Sequence, residues 1–207
     1  MFQDRTDAGE RLGAELSRRG VEADVVLGIP RGGLPVARPV AEELGADVDV
    51  VVASKIGSPG NPELAIGAVS SDGSLWLNEP LVDRLGVPEE SIEDEREEET
   101  AYAREKARRY RDGERVPDLE GKRVVVVDDG VATGATARAC LRQVTEAGAE
   151  HVVLAVPVGS PDSMAEIESE ADEVIALETP ADFRAVGQFY REVGQVSDEE
   201  AIEYLED

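Results

Sequence analysis

Two acids stand side by side at Asp128 and Asp129, and small residues and hydroxyls follow at once: Gly130, Val131, Ala132, Thr133, Gly134, Ala135, Thr136. Ionised carboxylates only accept hydrogen bonds, so an adjacent pair suits vicinal hydroxyls or a hard cation such as Mg²⁺. A Gly/Thr turn that opens a helix offers free backbone N–H groups and the positive end of the helix dipole, which suit a phosphate. Thr133 and Thr136 add hydroxyl donors to that turn. A diol and a phosphate within reach of one another describe a ribose 5-phosphate.

The flanking residues supply elements that can position this chemistry. Val124 to Val127 are four consecutive β-branched residues, the pattern of a parallel strand covered on both faces. Beyond the turn, Ala137, Cys140, Leu141, Val144 and Ala147 recur at spacings of three and four, which predicts a helix stopped by Gly148. The acids therefore lie at the C-terminal end of a buried strand, the end of an open α/β sheet where ligands bind.

A second strand, Ala23–Gly28, leads into Ile29-Pro30-Arg31-Gly32-Gly33 and a helix ending near Leu44-Gly45. Arg31, between a proline and two glycines, pairs a guanidinium with backbone that can approach a ligand closely, an arrangement suited to pyrophosphate. A third strand, Val48–Ala53, brings Lys55 to its C-terminal end, where it can meet pyrophosphate as a point charge. It is one of only three lysines. The segment Gly57–Gly67, dense in turn formers, reads either as a mobile loop or as a hairpin connection to a strand at about 66–70.

The stretch Val124–Thr136 closely resembles the phosphoribosyl pyrophosphate (PRPP) signature of type I phosphoribosyltransferases: four apolar residues, two acids, two small or apolar residues, Ala-Thr-Gly, a small residue and Thr. The resemblance runs over nearly the whole chain. It implies that Asp128 and Asp129 hold the ribose hydroxyls and that Ala132 to Thr136 wrap the 5′-phosphate. It also implies that Arg31, Gly32, Gly33 and Lys55 grip the pyrophosphate, with a non-proline cis peptide at Arg31–Gly32. Gly130 departs from the family pattern, where a branched residue is commoner, and is expected to permit a left-handed backbone. Gly57–Gly67 resembles the loop that closes over PRPP in this family, with Glu63 as a candidate acid/base. Ala132 stands where 6-oxopurine enzymes carry an Asp, which argues against hypoxanthine, guanine or xanthine. Mg²⁺ would arrive with PRPP, near Asp128 and Asp129, and a homodimer is expected by family analogy.

The implied fold is α/β, with a mostly parallel central sheet flanked by helices and a small C-terminal hood. One domain, 1–207, would comprise a core of about 20–160, including a helical insertion at 79–117, and a hood at about 161–207. The aromatics of Phe183–Tyr190 read equally as that hood or as a minor core. Further strands are expected at His151–Val156 and Glu173–Leu177, a long helix from Pro88 to about Arg111, and a capping box at Ser197–Glu200. The implied activity is transfer of the 5-phosphoribosyl group from PRPP to a nitrogenous acceptor, in nucleotide metabolism. The competing reading is a PRPP- or nucleotide-sensing regulator without chemistry. A phosphatase using Asp128 as nucleophile ranks last, because the acid–x–acid spacing it needs is absent.

Composition narrows the partners. A net charge of −25, with acids spread along the chain, disfavours nucleic acid and anionic membranes. So acidic a chain, poor in lysine, resembles halophilic proteins of a salt-loaded cytoplasm, where ionic strength screens self-repulsion. The expected location is cytoplasmic, with no signal peptide or membrane span. A single cysteine excludes an intramolecular disulfide, and a single histidine, His151, expected to serve packing, disfavours a His-dependent triad.

Overall fold

The computed structural model describes residues 1–111 and 118–206. Its centre is a five-stranded sheet of β1 (Val25–Gly28), β2 (Asp47–Val50), β6 (Arg123–Val127), β7 (His151–Val158) and β8 (Glu173–Glu178), ordered β2-β1-β6-β7-β8. Every neighbouring pair is parallel. Alternation along each strand sends side chains to opposite faces. Val124 and Val126 join Leu141, Val144, Leu154 and Ile167 on one face, beneath α5 (Ala135–Glu146) and α6 (Pro161–Ile167). Val125 and Val127 join Leu12, Leu16, Val36 and Val40 on the other, beneath α1 (Arg5–Arg18) and α2 (Leu34–Leu44). Both faces are covered, which is why this sheet tolerates unbroken valine runs.

The register aligns the C-terminal ends of the central strands. Gly28 lies opposite Val127 on one side and Val50 on the other, so β1, β2 and β6 finish level. The loops after β1 and β6 therefore emerge side by side.

A second sheet is antiparallel: β3 (Ala53–Ser58), β4 (Asn61–Ser70) and β5 (Leu75–Leu77). Here the expectations need correcting. The third strand stops at Val50, and Val51 and Val52 lead into the new sheet, so Lys55 sits within β3 and not at a parallel strand's end. Of the two readings of Gly57–Gly67 the hairpin is the one found, with a turn of only Pro59-Gly60 and Gly60 at φ +79°. Turn formers mark its tip and bulges, while pairing across Ile56–Gly67 and Lys55–Ala68 overrides them elsewhere. Ala68 packs against Ala135 and Ala139 of α5, small residues that let this sheet lie close to the helix.

Helix α3 (Glu79–Leu85) and the 22-residue α4 (Glu89–Tyr110) follow. The remainder of the expected insertion, 112–117, lies outside the described residues. α4 is charged nearly all round, and its narrow buried stripe of Ala103, Ala107 and Tyr110 packs on Leu34, Val50, Val52 and Ala201. The C-terminal 3₁₀ turn, Val186–Phe189, gathers aromatics as a small core: Phe183 and Phe189 stack at 5.4 Å, and Phe2 lies 5.5 Å from Tyr190. The capping box at Ser197 and Glu200 opens α7 (Asp198–Glu203). His151 is exposed at the start of β7, so it does not serve core packing as expected.

α1 and α2 approach through Gly9, where an added Cβ would lie 2.5 Å from Val36 O and 3.0 Å from Val36 Cα. Both obstacles are backbone and cannot rotate away. Ala in place of Gly gains about 1 kcal/mol of helix propensity, but overpacking costs about 1–3 kcal/mol. Gly9→Ala is expected to destabilise the protein in urea unfolding; a stabilised variant would show that the two helices can separate freely.

Candidate functional site

The end of β6 presents Asp128 and Asp129, and contacts from two distant parts of the chain, Arg5 and Tyr190, hold Asp129. The Asp129 N–H donates to Asp128 Oδ1 at 2.8 Å. Arg5 Nε, from the first turn of α1, donates to Asp129 Oδ2 at 2.8 Å. The hydroxyl of Tyr190 donates to the Asp129 carbonyl at 2.6 Å. Arg5 also donates through its terminal nitrogen to the Gly194 carbonyl at 2.8 Å, tying the C-terminal segment to the same place. Neither Arg5 nor Tyr190 carries a local sequence signal, because the first lies 124 residues from Asp129 and the second 61.

The loop after β1 abuts this pair. A Cβ at Gly32 would collide with the Asp129 carboxylate, and one at Gly33 would lie 2.5 Å from Ile29 O and 2.7 Å from Val127 O. Glycine is required here for close approach between two loops. The non-proline cis peptide is present, but at Pro30–Arg31, one bond earlier than expected. Gly130 is also explained differently from the expectation. Its φ lies outside the left-handed range, and a Cβ there would come within 2.8 Å of Val186. The reason is packing against the 3₁₀ turn.

The phosphate-suited turn leads into α5 as its sequence requires. Gly134 takes the left-handed conformation, φ +77°, at the N-cap, and the helix begins at Ala135. The first N–H groups of a helix have no partner within it, so those of Ala135 to Ala137 face outward. The Ala132 carbonyl accepts from Ser160 Oγ at 2.8 Å and Ser163 Oγ at 2.6 Å, which fixes the turn on α6. These two serines are further positioning residues that the sequence pattern did not reveal. Beside the turn is a cleft of about 180 Å³, lined by residues 130–137, Asp128, Lys55 and Val186.

Lys55 and Asp128 thus share one cleft with Gly130, Ala132, Thr133, Gly134, Ala135 and Thr136. Arg31 is outside it, half-exposed, with Nε 4.0 Å from the Asp198 carboxylate. Glu63 is exposed early in β4 and does not line the cleft. Among the described residues, no group of three or more His, Cys, Asp or Glu could hold a metal, and no helix is long and apolar enough to cross a membrane.

Comparison with known proteins decides the family. A profile of the phosphoribosyl transferase domain matches residues 3–192. The chain belongs to this family. A protein of Mycobacterium tuberculosis (strain H37Rv), provisionally named a phosphoribosyl transferase, is 44% identical over 207 residues, all of this chain and 46% of its own length. The chain thus spans about half the length of the curated relatives it matches. The crystal structure of TT1426 from Thermus thermophilus is 44% identical, with a TM-score of 0.84 over 99% of this chain and 97% of that one. A Neisseria gonorrhoeae protein, solved with bound ppGpp, shares the fold at 17% identity and a TM-score of 0.50, covering 98% and 97% of the two chains. The parallel sheet flanked by helices is the type I phosphoribosyltransferase fold.

In this phosphoribosyl transferase domain the electrostatics of the acid pair are uneven. Burial, and then the neighbouring charge of Asp129, push the Asp128 carboxyl well above its ordinary 3.8, with the Asp129 N–H and Arg5 opposing. Burial raises the Tyr190 hydroxyl well above its usual value, so it stays a donor. Cys140, behind the site, is fully buried and its thiol is pushed up by burial, which makes it unreactive.

A raised folded-state value makes the Asp128 carboxylate a cost at neutral pH. Stability is complete below 3.8, where the unfolded side chain is also protonated, and falls as pH rises through the raised value. Asp128→Asn is therefore expected to stabilise the ligand-free protein at pH 7. The gain should vanish near pH 3 in thermal unfolding. A lowered midpoint at pH 7 would contradict this electrostatic reading.

Proposed function

We propose that this domain transfers the 5-phosphoribosyl group from PRPP to a nitrogenous acceptor and releases pyrophosphate. The observation that carries the reading is that Asp128, with Asp129 beside it in sequence, lines a cleft walled by the Gly134 turn and the start of α5. In this reading Asp128 and Asp129 accept from the ribose hydroxyls. The N–H groups of Ala132 to Thr136, with the hydroxyls of Thr133 and Thr136, hold the 5′-phosphate. Gly130 lets the loop lie against Val186. Arg31, with the backbone of Gly32 and Gly33, meets the pyrophosphate, and Lys55 approaches it from β3.

Bond breaking at C1 leaves positive charge on the ribose and negative charge on the departing pyrophosphate. The protein then acts by positioning and by electrostatic support of the leaving group, and no covalent nucleophile is required. Glu63 as an acid/base would need the β3–β4 hairpin to fold over the cleft. Mg²⁺ fits the donor set in one respect: two adjacent carboxylates suit an ion that keeps water and phosphate oxygens as its other ligands. It would arrive bound to PRPP, near Asp128 and Asp129, and would neutralise phosphate charge. Ala132 leaves no carboxylate for a 6-oxopurine, so adenine, a pyrimidine or an amine is the class to test.

Retention of both Arg31 and Lys55 favours transfer over nucleotide sensing, since a 5′-nucleotide has no pyrophosphate at C1 to grip. The test is release of pyrophosphate from Mg²⁺–PRPP in concentrated KCl, with nucleobases, ammonia and primary amines as acceptors. One acceptor class should support release, and Asp128→Asn/Asp129→Asn should reduce it by roughly a hundredfold or more. Binding of PRPP with no release to any acceptor would favour the sensor.

A further inference from the structure

α4 turns one charged patch toward Arg31. Lys106, Arg109 and Tyr110 are three and four residues apart and share a helix face. Arg109 lies 3.2 Å from Asp198 Oδ2, and the Tyr110 hydroxyl donates to Asp198 Oδ1 at 2.6 Å. Arg31 Nε is 4.0 Å from that same Oδ1. Lys106 is half-buried and, among the described residues, forms no ion pair. Its Nζ lies 6.0 Å from the centre of the Tyr110 ring, which places it beside the same cluster. Burial holds its ammonium below the ordinary value, with the Asp198 charge opposing and the Arg31 charge adding to this.

Three cations and a phenol thus surround one carboxylate, in a chain whose net charge is −25. Glu199 takes part of Arg109, at 3.0 Å, and positive charge is still in excess. The Tyr110 hydrogen bond, followed by the charges of Arg109, Arg31 and Lys106, holds the Asp198 carboxyl below its usual range. Asp198 therefore remains an anion at neutral pH. The cluster is joined to the acid pair through the chain, since Gly32, which follows Arg31, packs on Asp129. A diphosphate brings more charge than a carboxylate and can engage guanidinium groups in bidentate fashion.

We propose that Arg31, Lys106, Arg109 and the Tyr110 hydroxyl form the binding site for the donor's pyrophosphate group, and that Asp198 occupies it as an internal anion until the donor displaces it. The inference rests on the PRPP reading above and extends it to α4 and α7. Displacement needs only the Asp198 side chain to swing, since Ala201 keeps α7 packed against Leu34 and Tyr110.

The probe is inorganic pyrophosphate alone, titrated calorimetrically at fixed ionic strength. Asp198→Asn removes the competing charge and should tighten binding by about fivefold, as expected for a partly exposed ion pair. Lys106→Met and Arg109→Gln should each weaken it by a similar factor. Unchanged or weaker binding by a folded Asp198→Asn variant overturns the proposal, as does absence of pyrophosphate binding in both wild type and variant. If Asp198→Asn does not fold, unchanged affinity in Lys106→Met and Arg109→Gln overturns it equally. Tightening without any turnover of PRPP would support this site while refuting the transferase reading. Turnover with no response to Asp198→Asn would refute this site alone.

Discussion

The Arg5–Asp129 ion pair is the contact on which the site's architecture depends. Asp129 sits at the end of a buried strand, packed against Gly32, beside a second acid, and beneath Tyr190. A carboxylate so enclosed needs a counter-charge and a full set of donors. Arg5 meets that need and, through Gly194, binds the first helix to the C-terminal segment. The chain's two ends are thereby closed over the acid pair by one guanidinium.

Level strand ends create this crowding. Because Gly28 and Val127 are in register, the loops bearing Arg31 and Asp128 must share the same space. Glycines at 32 and 33 are the consequence, where a side chain would strike the Asp129 carboxylate or a backbone carbonyl; Gly130 instead makes room for Val186 of the 3₁₀ turn. The chain's large negative charge makes local cations decisive for an anionic ligand. Lys55 faces the cleft, while Arg5 and Arg31 are each engaged by an internal carboxylate. Without ligand these two guanidinium groups are thus held by internal partners, with which an anionic ligand must compete.

The sequence disclosed what depends on local pattern. The valine run, the Gly148 stop, the long α4 and the Ser197 capping box all appear where periodicity and capping chemistry indicated. Contacts between distant residues were hidden. Arg5, Ser160, Ser163 and Tyr190 reach the site through topology, and nothing in their neighbourhoods marks them. The Gly57–Gly67 segment was ambiguous in sequence: its prolines and glycines fit either a loop or a hairpin, and only the pairing of β3 with β4 decides for the hairpin. Lys55 reaches the cleft from a different sheet than its valine-rich approach implied. Gly130 was legible as an exception, yet its reason, the side chain of Val186, lies 56 residues onward.

The acid pair as a donor site is most directly tested by calorimetric titration of Mg²⁺–PRPP into the protein in concentrated KCl, beside Asp128→Asn/Asp129→Asn. Saturable binding to wild type, lost in a variant that remains folded, is the predicted result. Equal affinity in the two proteins, or no binding by folded wild type, would contradict the assignment of Asp128 and Asp129 to the ribose.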